Sequence, residues 1–255
     1  MTEIIAAACA FAPSREAARA LIPAMSDEAA HLRRGRAVEL AALRGLGVDP
    51  HIGGAADLRP GLDRLGKGGA LDGGSLFAIA ETLRVVERLQ GELVRGGPLL
   101  STVGIELAPL RGVRSQLERA VGADGTLSDS ASPILGGLRA HLRSALERLR
   151  SRLEGLAHAK AYSPYLQDAI VTLRNGRYVL PVRAEAKSKV AGIVHDTSAT
   201  GQTIWIEPLE VVELGNALRE AEAAVGAEEA RILSALSGVV AREGEVLRRN
   251  LEIGR

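Results

Sequence analysis

A chain of 255 residues with 46% hydrophobic and 25% charged residues has the composition of a folded globular protein, long enough for one large or two modest domains. A net charge of +1 excludes a global field that would draw the chain onto nucleic acid or lipid, so any such attraction must come from a local patch. The single cysteine, Cys9, excludes an internal disulfide, and the sequence shows neither a signal peptide nor a long apolar run, which together predict a cytoplasmic protein.

The first part of the chain, residues 1–128, is predicted to be helical. Ser26 is suited to cap a helix, because the acidic residues after it favour the positive helix end. Apolar residues then recur on one helical face in two further segments, at Leu76, Ala80, Leu83, Val86 and Leu93, and at Leu110, Val113, Leu117 and Val121.

The segment GLDRLGKGG, residues 61–69, has the spacing of a phosphate-binding loop but lacks two of its features. Gly68 stands where the magnesium-binding hydroxyl belongs, and no buried strand precedes the segment. We therefore expect a connecting loop rather than a nucleotide site.

Two long helices are predicted, at 129–161 and 209–255. Leucines from Leu135 to Leu156 follow Ser132 and Pro133 at spacings of three or four. In the second segment aliphatic residues recur every seven positions, at Val211, Leu218, Val225, Ile232, Val239, Val246 and Ile253. This stripe needs a partner, which is either the first long helix or, in a structural alternative, a second copy in a dimerising coiled coil.

A β module is predicted between these helices, at 162–208. Asn175-Gly176 between two β-rich runs indicates a hairpin in which Arg174 faces Arg177 and Leu173 faces Tyr178. A second pair of strands is expected at 192–195 and 202–206. The predicted fold class is therefore mainly α, with a small antiparallel β module carried by two long antiparallel helices on a helical base.

The second strand pair contains His195, Asp196 and Ser198, residue types that hydrolases use for catalysis. Neighbours on a regular strand point to opposite faces, so His195 and Asp196 are expected to diverge, and no nucleophile elbow surrounds Ser198. We therefore expect a hairpin loop, with Gly201 free to adopt positive φ, and no catalysis. The histidines are scattered and predict no metal site.

A local basic patch is the strongest functional signal. Within residues 170–192 one negative residue, Glu185, accompanies five positive residues: Arg174, Arg177, Arg183, Lys187 and Lys189. Arg174 and Arg177, opposed across the hairpin, are expected to face solvent, where an anion between them would relieve their repulsion. Such a patch predicts salt-sensitive contact with the phosphate backbone of nucleic acid. Tyr162 and Tyr165 could stack on bases, but packing in the core is the favoured interpretation.

The segment YLQDAIVTLRNGRYVLPVRAEAKSKVAGIVHDTSATGQTIWIEPLEVVELGNALREAE resembles the middle of the bacterial MutS-two (MutS2) family, the MutS paralogues with a C-terminal Smr nuclease. SREAARALIPA, LGKGGALDGGSLFAIAETLR and DGTLSDSASPILGGLR resemble the same family in the same order. The resemblance implies a core (lever) domain at 1–128, an outgoing clamp helix at 129–161, a β clamp tip at 162–208 and a returning helix at 209–255.

In that family an ATPase and the Smr endonuclease follow the clamp, so the resemblance implies an N-terminal fragment without chemistry or cofactor of its own. ATP and magnesium are expected only in the ATPase domain. The implied partner is DNA, in particular branched recombination intermediates, gripped by a homodimer that suppresses homologous recombination. A ribosome-binding arm that senses and splits collided ribosomes through ribosomal RNA is the alternative.

Overall fold

A computed structural model of the protein describes residues 2–9 and 11–254, and these form two compact units. One unit contains the chain up to residue 131 together with the chain from residue 231, and the other contains residues 132–230. The predicted fold class, mainly helical with a small antiparallel sheet, is confirmed.

The first unit is built from helices. They are α1 (Thr2–Ala8), α2 (Ala12–Arg19), α3 (Asp27–Gly45), α4 (Arg59–Gly66), α5 (Gly73–Leu93), α6 (Pro98–Glu106) and α7 (Arg111–Ala120), with the end of α9 (Val212–Arg242) and α10 (Gly244–Ile253). The predicted apolar face of α5 is its buried face, since Leu76 and Leu83 are completely inaccessible to solvent.

Side-chain caps begin two of these helices. The Ser26 hydroxyl accepts a hydrogen bond from the backbone nitrogen of Ala29 at 3.2 Å, as the sequence predicts for α3. At the start of α5, Asp72 accepts a hydrogen bond from the backbone nitrogen of Ser75 at 2.7 Å, and this bond lowers the pKa of the Asp72 carboxyl.

The segment with phosphate-loop spacing does not form such a loop. Its residues 61–66 belong to α4, and the chain leaves the helix at Lys67 before Gly68 adopts a positive φ of 79°. It is a helix end followed by a connection, as expected.

The second unit begins with α8 (Leu135–His158), which starts two residues later than Pro133, its predicted start. The Ser132 hydroxyl accepts a hydrogen bond from the backbone nitrogen of Leu135 at 3.1 Å, so it still satisfies a donor at this helix start. Arg139 contacts Glu229 at 2.7 Å and Arg152 contacts Glu210, which shows that α8 and the first part of α9 run antiparallel.

The prediction of one helix over 209–255 requires correction. A 3₁₀ turn at Leu209–Val211 precedes α9, and the helix is interrupted at Glu243 before α10 begins at Gly244. Glu243 has φ −99° and ψ 11°, outside the helical range, and the glycine after it has a low preference for helix.

The stripe of aliphatic residues that begins in the 3₁₀ turn and continues along α9 is covered within the single chain. Val211, Leu218, Val225 and Ile232 are all at most 8% exposed. After Ile232 the buried positions leave the seven-residue repeat and continue at Leu236, Val240, Leu247 and Leu251. The first four residues are therefore not available as the seam of a dimerising coiled coil.

The sheet has four antiparallel strands in the order β1-β2-β4-β3, with β1 (Thr172–Arg174), β2 (Arg177–Arg183), β3 (Gly192–Thr197) and β4 (Thr203–Pro208). The predicted hairpin register is confirmed, since Arg174 pairs with Arg177 and Leu173 pairs with Tyr178. One face of β2 and β4 packs Leu180, Val182, Ile204 and Ile206 against the leucines of α8. Hydrophobic burial is thus the main force that fixes the sheet on its helix.

Among the described residues, no helix combines the length and apolar character needed to cross a membrane.

Candidate nucleic-acid interface

The tip of the β1–β2 hairpin is a two-residue turn whose backbone is tied to other elements. Asn175 and Gly176 have φ values of 49° and 72°, the left-handed pair that a type I′ turn requires. The Asn175 side chain donates a hydrogen bond to the carbonyl oxygen of His195 at 2.8 Å. Arg219 of α9 donates to the carbonyl oxygen of Gly176 at 2.7 Å, so the turn is held from two sides.

A β-bulge in β3 changes the predicted orientation of two side chains. Val194 pairs with Ile206 and Asp196 pairs with Trp205, so His195 is an extra residue in the ladder. Because of this bulge, His195 and Asp196 both lie on the face that carries Trp205 and Glu207. Regular alternation along the strand predicts that the two side chains point to opposite faces. That expectation was wrong, because the alternation rule does not hold across a bulge.

Glu207 is the centre of a polar cluster on this face, although it is only 2% exposed. Its Oε2 atom lies 2.7 Å from Nε2 of His195, and its Oε1 atom lies 3.3 Å from Nη1 of Arg177. Arg177 also donates to the side-chain oxygen of Asn216 in α9 at 3.0 Å. No pattern in the sequence indicates this cluster, since its members come from β2, β3, β4 and α9.

The absence of a side chain at Gly215 leaves space for the cluster. A Cβ atom at this position would come within 2.6 Å of Oε1 of Glu207 and 3.0 Å of Nη1 of Arg177. Both distances are shorter than ordinary van der Waals contacts, so the glycine allows α9 to approach the carboxylate.

Arg174 is held by an aromatic ring on the same face. Its guanidinium carbon lies 4.3 Å from the ring centroid of Trp205, a cation–π contact, and its Nε atom is 3.9 Å from a carboxylate oxygen of Asp196. The Nε atom is buried and has no hydrogen-bond partner among the described residues. Arg174 is therefore stacked but weakly paired.

The two opposed arginines consequently differ from their expected placement. Arg177 is directed into the fold rather than to solvent, and its side chain is only 26% exposed, while that of Arg174 is 42% exposed. Their mutual repulsion is relieved by Glu207 and Asp196 of the same chain, not by an external anion. Contact of either arginine with nucleic acid stays a prediction.

The other three cations of the patch are on the surface. Arg183, Lys187 and Lys189 are exposed, and none of them forms an ion pair with any residue in the described ranges. A six-residue 3₁₀ helix, Ala184–Lys189, carries both lysines and is anchored by the buried Ala186. These cations are available to an anionic ligand.

The aromatic residues have structural partners. Tyr162 and Tyr165 pack against the core of the second unit, as favoured from the sequence, and the Tyr162 hydroxyl donates to Glu210 at 2.9 Å. Burial, with help from that carboxylate, raises the pKa of Tyr162. In the described part of the chain, no three His, Cys, Asp or Glu side chains come together as a metal site.

The fold and this surface define a mainly helical protein whose antiparallel β module presents unpaired cations. No protein-family model matches the chain. The relatives that match it include proteins named Endonuclease MutS2 from several organisms. That of Symbiobacterium thermophilum is 36% identical over 247 residues, or 96% of this chain and 31% of the relative. That of Thermomicrobium roseum is 36% identical over 99% of this chain and 32% of the relative. That of Clostridioides difficile is 38% identical over 78% of this chain and 26% of the relative.

The chain belongs to the MutS2 family, which confirms the resemblance seen in its sequence. It spans about a third of the length of the relatives that it matches.

Proposed function

We propose that this chain forms the core and clamp region of a MutS2 protein and that its β module binds the phosphate backbone of DNA. In this proposal residues 1–128 form the core (lever), 129–161 and 209–255 supply the two sides of the clamp arm, and 162–208 form its tip. The chain contributes binding rather than catalysis.

The proposal rests mainly on three exposed cations that are not paired with a carboxylate in the described ranges: Arg183, Lys187 and Lys189. A charge already paired within the protein must lose its partner before it can bind phosphate, whereas an unpaired surface cation only displaces solvent and counterions. Each contact of this kind positions a nucleic acid without reading its sequence.

The choice of a nucleic acid as the ligand rests on the relatives, which are named endonucleases, since an endonuclease acts on nucleic acid; DNA is the form that we propose. In the whole protein, by this proposal, the clamp closes on branched DNA as a homodimer. An ATPase domain holds ATP and magnesium, an Smr domain cuts, and the result is suppression of homologous recombination.

A salt series tests the proposal. We expect the chain to bind junction DNA and the logarithm of its affinity to fall linearly with the logarithm of the salt concentration. The slope should be roughly −3 if three phosphates are neutralised. The double substitution Lys187→Glu and Lys189→Glu should reduce both the affinity and the slope.

The matched control is Arg34→Glu combined with Lys67→Glu, because both residues are exposed and lie in the other unit and the net charge changes by the same amount. Equal loss from the control and from the double variant would show that only net charge matters and would remove the β module from the proposal. Ribosomes serve as a second ligand in the same series. Tight binding to ribosomes with no binding to junction DNA would favour the ribosome alternative.

A further inference from the structure

A surface depression lies next to the exposed cations, and its lining indicates which part of a nucleic acid it binds. This inference rests on the proposed function and specifies its ligand. The depression is an open cavity of about 370 Å³ lined by Gln167, Arg183, Ala184, Glu185, Gly201 and Gln202. It lies where the end of β2 meets the β3–β4 loop and the segment before β1.

The backbone of this lining is fixed by hydrogen bonds between the three segments. Gln167 donates its backbone N–H to the carbonyl oxygen of Pro181 at 2.8 Å, and Ala184 donates to that of Gln202 at 3.0 Å. Within the β3–β4 loop, Gly201 donates to the carbonyl oxygen of Ser198 at 2.8 Å and takes a positive φ of 70°. The positions from which the side chains project are therefore set before any ligand arrives.

The side chains around the depression have unused hydrogen-bonding capacity. Arg183 and Glu185 line the same cavity without forming an ion pair with each other. The amides of Gln167 and Gln202 likewise have no partner among the described residues. The residues that line this one cavity thus carry a planar set of donors, a carboxylate acceptor and two amides, each of which both donates and accepts.

This combination of groups matches one nucleobase. Guanine carries two acceptors, O6 and N7, which an arginine contacts with two hydrogen bonds. Its Watson–Crick edge carries two donors, N1–H and the N2 amino group, which a carboxylate accepts as a pair. No other common base offers both sets, and a base can use both only when it is unpaired.

We infer that the depression binds an unpaired guanine base, so that the β module recognises single-stranded nucleic acid at a branch, flap or loop. Arg183 contacts O6 and N7, Glu185 accepts from N1–H and N2, and the glutamines complete the contacts. Lys187 and Lys189, on the 3₁₀ helix that begins at the depression, contact the adjoining phosphates. The cavity volume of about 370 Å³ lies within the range of small-molecule sites.

The test compares an all-thymidine strand with the same strand carrying one central deoxyguanosine, by fluorescence anisotropy at low salt. We expect the guanine strand to bind the 255-residue chain roughly tenfold more tightly, the discrimination typical of one good two-bond contact. Uridine strands with and without one guanosine form a second arm, which shows whether RNA is read in the same way as DNA.

Glu185→Gln separates this inference from simple electrostatics. Removal of a negative charge should leave the affinity for the all-thymidine strand unchanged or raise it, while the preference for guanine falls to within about twofold. Asp168→Asn removes the same charge from an exposed neighbour outside the lining and should keep the preference. Arg183→Lys retains the charge but loses the two-bond contact, so it should lose the preference and keep the salt dependence.

Equal affinity of the wild-type chain for the two strands would overturn the inference and leave the proposed function in place, provided that binding remains salt-dependent. A preference that survives Glu185→Gln would also overturn it. If neither strand nor junction DNA binds at low salt, the inference and the proposed function fail together.

Discussion

The Nε2 atom of His195 lies 2.7 Å from Oε2 of Glu207, and this carboxylate is only 2% exposed. A buried carboxylate is stable only where charged or polar partners replace its lost water, and here Arg177 supplies the second partner at 3.3 Å. The pair joins β3 to β4, while Arg177 extends the connection to α9 through Asn216.

Glu207→Gln is expected to lower the free energy of unfolding by about 2–4 kcal/mol, because it leaves Arg177 without its carboxylate and weakens the bond to His195. Urea denaturation followed by circular dichroism measures the change. Glu222→Gln, an exposed carboxylate on α9, should change the free energy by less than about 0.5 kcal/mol. A similar, small effect of both variants would show that the cluster contributes nothing to stability.

Two glycines of α9 should respond oppositely to alanine. Gly226→Ala introduces a methyl group that meets no atom within 4 Å apart from the adjoining backbone of its own helix, and it should stabilise the protein by up to about 1 kcal/mol, since alanine favours helix. Gly215→Ala brings the methyl group within 2.6 Å of Oε1 of Glu207, an atom that cannot move without losing its bond to Arg177. We expect Gly215→Ala to destabilise by about 1–2 kcal/mol in thermal unfolding. Stabilisation by both changes would contradict the packing described for Gly215.

The chain contains a single tryptophan, so its fluorescence reports directly on the contact between Trp205 and Arg174. Arg174→Ala should make the indole more accessible to iodide and shift its emission, with a loss of less than about 1 kcal/mol of stability. Lys187→Ala is the control and should leave the spectrum unchanged. An unchanged spectrum in Arg174→Ala would show that the stacked arrangement is not populated in solution.

The pH dependence of one helix cap has a defined sign. The pKa of Asp72 is lowered in the folded state, chiefly by the hydrogen bond from the backbone nitrogen of Ser75, so its contribution to stability is present above the unfolded pKa. That contribution is lost as the pH falls through the folded pKa. Asp72→Ala should therefore cost about 1 kcal/mol at neutral pH and progressively less below pH ~4. Unfolding curves of the wild-type chain and of Asp72→Ala across this pH range measure the effect. A difference in the free energy of unfolding that stayed constant with pH would contradict the assignment.

Ile232, which is 4% exposed, distinguishes a core role of the heptad stripe from a dimer seam. Ile232→Ala should lower the free energy of unfolding by about 2–4 kcal/mol through the cavity that it creates, with no change in oligomeric state. Sedimentation velocity of the folded variant provides the check. A wild-type dimer that the substitution converts to a folded monomer would support the structural alternative instead.

The parts of the fold that depend on local chemistry could be predicted from the sequence. Asn175-Gly176 determined both the turn and the register, because its positive φ values fit only one type of short hairpin. Ser26 marked the start of α3 in the same way, through a hydrogen bond to a residue three positions later.

The parts that depend on distant residues could not be predicted. The bulge at His195 has no glycine or other sequence signal, and it reverses the alternation on which the orientation of Asp196 was inferred. Glu207 is separated from Arg177 by 30 positions, so the partner that draws this arginine inward becomes visible only when β2, β4 and α9 are assembled. Only the structure separates the three exposed cations, Arg183, Lys187 and Lys189, from the two arginines of the hairpin, which have partners in the fold.

The hydrogen bonds at the hairpin turn also affect the rate at which Asn175 deamidates. Asparagine followed by glycine is prone to deamidation: the backbone nitrogen of the glycine attacks the side-chain carbonyl carbon, ammonia leaves, and water then opens the resulting succinimide to aspartate or isoaspartate. The side-chain amide of Asn175 is bonded to the carbonyl oxygen of His195, and Arg219 restrains Gly176. Because the side-chain amide of Asn175 and the carbonyl group of Gly176 are both held by hydrogen bonds, we expect isoaspartate to form more slowly at this site in the folded protein than in an unstructured peptide of the same sequence.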